Sequence, residues 1–201
     1  MKLVWLDIET SGLDERNGLI LEVAVALTDD ASLSIEHERN WVVHWDDITL
    51  DYKLGGWARH QHGQSGLLDA VRLSTTGMWP VRQELAAFIA QHVKEGDGVL
   101  AGNSVGTFDR VWLRYHAPEV VERLHYRVFD VSSLRMQMQL WAPTSRAGDL
   151  AAERSESGHT RPHRAMDDLR ETIEEARVYR EFIRQAALAP SVLTQTTRRQ
   201  Q

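Results

Sequence analysis

Three strand-like runs fall within the first 45 residues, and they constrain the fold more than anything that follows. Residues 2–8 (KLVWLDI) read as a short buried strand. Residues 18–28 (GLILEVAVALT), rich in Val and Leu, read as a second, and residues 33–45 (LSIEHERNWVVHW) alternate well enough for a third. Ser11-Gly12-Leu13-Asp14 and Asp29-Asp30 between them carry turn chemistry. Short links favour antiparallel pairing, because a parallel neighbour needs a crossover of a dozen residues or more. The chain therefore opens on an antiparallel meander.

The texture then turns helical. The spacing predicts helices over 64–72 and 80–94, the second with Leu85, Phe88, Ile89 and Val93 on one face. Residues 98–101 (GVLA) read as a fourth strand, ended by the polar turn Gly102-Asn103-Ser104. A helix over 107–116, a fifth strand over 126–131 (YRVFDV) and a helix over 132–141 follow. Residues 144–162 mix Pro, Ser, Gly and both charges with little periodicity, and read as mostly loop. A long helix runs from about His163 to Ala186, with Ile173, Ala176, Tyr179, Phe182 and Ile183 on its apolar side. The order implies an α/β protein: a mixed five-stranded sheet with helices on both faces.

Composition removes whole classes of function. The 201 residues contain no cysteine, which excludes disulfides, thiolate zinc sites, iron–sulfur clusters and cysteine nucleophiles together. No run approaches the ~18 apolar residues of a membrane span, and the opening residues lack a signal core, so the expected compartment is the cytoplasm. The net charge of −6 argues against coating long nucleic acid. Only Lys2, Lys53 and Lys94 are lysines; the other cations are arginines, which suit phosphate but also reflect biased gene composition.

The chemistry lies in the acids. Asp7 and Glu9 are two apart on a strand, so both carboxylates point to one face beside a turn. Like charges this close repel, and a hard divalent cation is the natural counter-ion. Two solvated acids at a strand end are the plainer alternative. Asp109 follows the fourth strand at the start of a helix, where an acid also favours the helix dipole. Asp167 and Asp168, ~100° apart on a helix, cannot both face one site. His163, just ahead of them, can lean over whatever the inward one faces.

Together these features resemble the DEDD superfamily of 3′–5′ exonucleases in its histidine-bearing branch, and within it the oligoribonuclease family. The resemblance rests on WLDIETSGLD (5–14), on Trp57 with His62 and SGL (65–67), and on AGNS (101–104). It continues through YRVFDVSS (126–133), HRAMDDLRE (163–171) and YREF (179–182), so that it spans about 3–184. It implies a ribonuclease H-like fold, with one exonuclease domain over 1–187 and a polar, disordered tail over 188–201. It implies that Asp7, Glu9, Asp109 and Asp168 hold two Mg²⁺ or Mn²⁺ ions, and that His163 is the general base. Leu13, Trp57 and His62 would hold the bases. Ser104, Arg127, Ser132 and Ser133 would cap a 5′-phosphate. Tyr126 would complete the site of a second subunit in a homodimer. One departure stands out: Asp109 follows Ser104 by five positions, one more than in the family pattern.

The function so implied is hydrolysis of very short single-stranded RNA of 2–5 nucleotides, dinucleotides above all, to nucleoside 5′-monophosphates. The alternatives are a 3′–5′ exonuclease for single-stranded DNA and a catalytically silent nucleic-acid-binding module.

Overall fold

A computed structural model describes residues 1–29, 31–157 and 164–188. Five strands form one sheet in the order β3-β2-β1-β4-β5: β1 (Lys2–Thr10), β2 (Ile20–Thr28), β3 (Ile35–Val42), β4 (Gly98–Gly102) and β5 (Val128–Asp130). β1–β3 pair antiparallel, as their short links require, while β4 and β5 run parallel to β1 and reach their places through helices. The sheet is thus mixed, with β1 at its centre. β2 is buried along its whole length, whereas the edge strand β3 exposes most of its residues and is charged, which discourages pairing with another chain.

Nine helices lie among the described residues: α1 (Asp47–Lys53), α2 (Gly56–Gln64), α3 (Leu67–Leu73), α4 (Met78–His92), α5 (Asp109–His116), α6 (Pro118–Arg123), α7 (Val131–Trp141), α8 (Arg146–Ser157) and α9 (Ala165–Leu188). The alternation of β1 sorts them. Val4, Leu6 and Ile8 join one core with Val81, Leu85 and Ile89 of α4 and Trp112 and Leu113 of α5. Leu3 and Trp5 join the other with Met138 of α7, Ala147 and Ala151 of α8, and Leu169, Ile173 and Tyr179 of α9. Asp7 and Glu9 continue the second, odd-numbered face, so β1 aims them to the α9 side.

Several expectations need correction. Residues 144–162 are not mostly loop, because 146–157 form α8. Ser145 starts it, accepting from the Gly148 N–H at 3.1 Å as an N-cap. Its buried face is only Ala147 and Ala151, two small residues that give almost no hydrophobic periodicity. Helices α1, α2 and α6 were not anticipated; α2 holds glycine and polar residues, while α1 is announced by an Asp46 cap on Thr49. Ile183 is 47% exposed and does not belong to the apolar side of α9. α9 continues through Leu188, past the boundary expected at 187, and the expected tail beyond it lies outside the described residues.

α9 is fastened to the sheet by a buried charge. Glu22 on β2, directly opposite Glu9, is fully buried. It accepts from Arg164 Nη2 at 2.7 Å and Nε at 3.0 Å, from the Ala165 N–H at 3.1 Å and from Asn40 at 2.9 Å. Arg164→Met would leave that carboxylate without its cation, and should cost about 3 kcal/mol of stability in urea unfolding, measured against wild type.

Candidate active site

Asp7, Glu9 and Asp168 each place a carboxylate oxygen so that all three lie within 4.8 Å of one another. Strand alternation supplies the first two. The third comes from the first turn of α9, which Glu22 holds through Arg164 and the Ala165 N–H, four and three residues earlier. Asp167 is exposed, so only one of the adjacent acids turns inward, as helix geometry demands. The register of β1 against β2 shifts between Glu9 and Thr10, leaving Leu21 of β2 without a partner position.

Asp109 comes from the other side. The last pair of β1 with β4 is Trp5 with Ala101, so β1 runs on past the end of its parallel neighbour. Asp109, at the start of α5, accepts the Ile8 N–H at 3.1 Å beyond that point and is buried. It lines the same 300 Å³ cavity as Asp7, Glu9 and Asp168, outside the carboxyl ends of the parallel strands, where α/β sheets hold ligands.

The electrostatics are those of crowded acids. Burial first, then Asp109, Glu9, Asp168 and Glu22, push the Asp7 carboxyl well above the usual carboxylate range. Burial pushes Asp109 up to about 7, although the Ile8 N–H favours its charged form. Carboxylate oxygens this close fit a hard divalent cation.

The acids just outside the cluster are each met by arginine. Glu175 on α9 accepts both Arg135 Nε and Nη2 at 2.7 Å, and also the Tyr179 hydroxyl at 2.6 Å. Arg154 of α8 pairs with Glu171 of α9. Glu22, Glu175 and these arginines were missed in the sequence, because a buried ion pair leaves no local pattern.

A second cavity, of 540 Å³, shares Ile8, Glu9 and Phe108 with the first. It is lined chiefly by apolar groups, among them Leu13, Trp57, Ala58 and Gly55–Gly56. Leu13 and Trp57 are exposed at its mouth. His62 is fully buried in its wall, donating through Nε2 to the Thr10 carbonyl at 2.9 Å, while Nδ1 stands 3.9 Å from Glu9.

The extra residue between Ser104 and Asp109 is absorbed by the turn. Ser104 takes a left-handed φ of 55°, its carbonyl accepts from Thr107 and Phe108, and it still lines the acidic cavity. Asp130, also missed, organises this corner. Its carboxylate accepts the Ser104 N–H at 3.1 Å, the Gly106 N–H at 3.3 Å, and the Ser132 N–H and hydroxyl at 3.0 and 2.6 Å. Ser104 and Ser132 are thereby joined. Arg127, Tyr126 and Ser133 are exposed and line neither cavity of this subunit. The Arg127 guanidinium lies over the Tyr126 ring at 5.2 Å. His163 lies outside the described residues.

The raised carboxyls set a pH dependence with a definite sign. With folded-state pKa values above unfolded ones, the native state binds more protons, so stability falls as pH rises. For Asp109 the window runs from about 4 in the unfolded chain to about 7 in the fold. In EDTA the Tm should be lower at pH 8 than at pH 5. Mn²⁺ should raise it more at pH 8 than at pH 5. Calorimetry across this range checks both.

The comparisons agree with this geometry. The RNase T exonuclease family matches residues 4–176. The oligoribonuclease of Bordetella pertussis is 37% identical over 183 residues, covering 90% of this chain and 95% of that protein. The oligoribonuclease of Burkholderia lata is 38% identical over 94% of this chain and 87% of its own. The mitochondrial oligoribonuclease of Mus musculus is 34% identical over 90% and 73%. In fold, the chain is similar to E. coli exonuclease I in complex with a dT13 oligonucleotide: TM-score 0.63 at 16% identity, over 88% of this chain and 40% of that one. With its sheet, its carboxylate cluster and these relatives in agreement, the chain belongs to the exonuclease family, in its oligoribonuclease branch, and is a nuclease.

Proposed function

We propose that this protein is a 3′–5′ exoribonuclease of the cytoplasm that degrades RNA fragments of two to five nucleotides, dinucleotides above all, to nucleoside 5′-monophosphates. The observation that carries the reading is the shared wall of the two cavities. An apolar slot beside Leu13 and Trp57 suits stacked bases, and the carboxylate cluster next to it suits the phosphodiester that joins them.

Asp7, Glu9, Asp109 and Asp168 would hold two divalent cations, Mg²⁺ or Mn²⁺. Such a pair, when bound, stabilises both the attacking and the leaving oxygen of an in-line displacement. Asp7, whose carboxyl is raised by burial and by Asp109, Glu9 and Asp168 together, would be the central member of that ligand set. His163 takes the proton of the attacking water, as an imidazole with a pKa near 6.5 can do at neutral pH. Buried His62 fixes the floor of the base slot through Thr10. Ser104 and Ser132, joined by Asp130, form one side of a cap for the 5′-phosphate, with Arg127 and Ser133 on its rim. Hydroxyls and a guanidinium fork satisfy such a phosphate, and a groove closed by it selects for length.

The cap is completed in a homodimer by the partner subunit's Tyr126. Two features favour this. Tyr126 is 70% exposed and outside both cavities of its own subunit. On α7, Met136, Leu140 and Trp141 form an exposed apolar stripe of the kind an isologous interface covers.

The test incubates purified protein and Mn²⁺ with 5′-phosphorylated RNAs of two, three, five and ten nucleotides beside matched DNAs. Dinucleotide RNA should be cut fastest. Equal rates at every length would reject the closed cap, and faster cleavage of DNA would favour the single-stranded DNA exonuclease instead. His163→Ala should retain the wild-type Tm and Mn²⁺ affinity while losing about 100-fold or more in kcat, the usual scale for a general base.

A further inference from the structure

The acidic cavity contains two guanidiniums that the mechanism above does not use, and they differ. Arg135 is committed, with Nε and Nη2 both bonded to Glu175, whose side chain is 2% exposed. Arg154 is not. Its Nη1 pairs with Glu171, yet its Nε is buried and makes no hydrogen bond among the described residues. An unsatisfied buried donor on a charged group is costly, and asks for an explanation. The residue lines the cavity that holds Asp7, Glu9, Asp109 and Asp168. Its partner Glu171 is three positions beyond Asp168 on α9. Side chains at that spacing are about 5–6 Å apart at Cβ, which brings Arg154 close to the ligand cluster without joining it.

α8 holds Arg154 there firmly. Gln139 of α7 donates to the Ala151 carbonyl at 3.1 Å and to the Ser155 hydroxyl at 2.8 Å, three positions before Arg154 and one after it. Gly148 lets the start of α8 approach closely, since a Cβ there would stand 2.2 Å from the Ala142 carbonyl. The helix is thus a mount for a cation at the rim of an acidic cavity.

We propose that Arg154 is a substrate-binding residue that contacts a phosphate of the bound oligonucleotide through the guanidinium N–H groups that Glu171 leaves open, the buried and unpaired Nε showing that the protein itself does not saturate this cation. The contact rests on the functional reading above and adds to it a residue on α8. A guanidinium suits this place better than an ammonium, because one edge can keep Glu171 while another N–H takes a phosphate oxygen. It also offsets the repulsion that four carboxylates exert on an incoming polyanion.

Arg154→Gln and Arg154→Lys are compared with wild type in three measurements on the full chain. The first is KM and kcat with a 5′-phosphorylated diribonucleotide and Mn²⁺. The second is the Kd of the same dinucleotide by calorimetry, with Ca²⁺ replacing Mn²⁺ so that binding is read apart from cleavage. The third is Mn²⁺ affinity without substrate. Loss of one charge-assisted hydrogen bond should raise KM and Kd about 10-fold in Arg154→Gln, with kcat and Mn²⁺ affinity unchanged. Arg154→Lys, which keeps the charge but not the fork, should fall between. Unchanged Kd in Arg154→Gln overturns the proposal. So does a rise in Kd matched by an equal loss of Mn²⁺ affinity, since Arg154 would then act through Glu171 and Asp168 alone. If wild type binds the dinucleotide without cutting it, the exoribonuclease reading fails while the contact is still measured. If wild type does not bind it, both fail.

Discussion

Repulsion among carboxylates at the end of β1 is the constraint around which this protein is arranged. Elsewhere the fold neutralises its buried acids itself: Glu22 has Arg164 and Glu175 has Arg135. For Asp7 and Asp109 no such cation stands among the described residues. Asp7 and Asp109 respond to burial and to their neighbours by holding protons far above the usual carboxylate range. A protein that stabilised only its own fold would have placed apolar side chains there, since buried charge is a weak source of stability. The retained strain is the signature of a site that takes its positive charge from solution.

The scaffold converts that strain into position. β1 is central and outruns β4, so its last residues lie on a rigid strand without a full ladder on one side. Its odd face carries Asp7 and Glu9 toward α9. Its backbone, at Ile8, hydrogen-bonds Asp109 from α5. The Glu22–Arg164 pair then sets the start of α9, and with it Asp168. Three separate segments of chain meet at one cavity, and each is held there by a backbone ladder, a backbone N–H or a buried ion pair. Ile8 and Phe108 belong to both cavities, so the apolar slot and the acidic one are fixed relative to each other.

What the sequence made legible follows from the range of the signal. The strand-like runs of β1–β3 and the 3.6-residue faces of α4 and α9 are local signals, and these elements appear where expected. The candidate acids were legible less from spacing, on which solvated acids were the plainer alternative, than from the family resemblance that joined Asp7, Glu9, Asp109 and Asp168. α8 was not, because Ala147 and Ala151 pack it through smallness and give no periodic signal. Nor was Asp130: it stands within an expected strand, yet its work is to gather donors from a turn 26 residues earlier. Glu22 and Arg164 are 142 residues apart. Such pairs are invisible to spacing, and they are what turns a set of acids into a site.

The arginine bias takes on meaning in the same way. It could have marked a basic track for a polyanion. Instead nine arginines among the described residues, Arg154 aside, are in ion pairs with the protein's own carboxylates: Arg39, Arg59, Arg72, Arg82, Arg135, Arg164, Arg170, Arg177 and Arg184. Cations so committed cannot release counter-ions from a long chain of phosphates, which is the main source of affinity for polymeric nucleic acid. A net charge of −6 works in the same direction. In the proposed function, affinity then comes from a few contacts at one place: base stacking in the apolar slot, divalent charge over the acids, and a phosphate or two at the rim. Such contacts are as numerous for a fragment as for a polymer, so the charge balance and the cavities both suit the short substrates proposed.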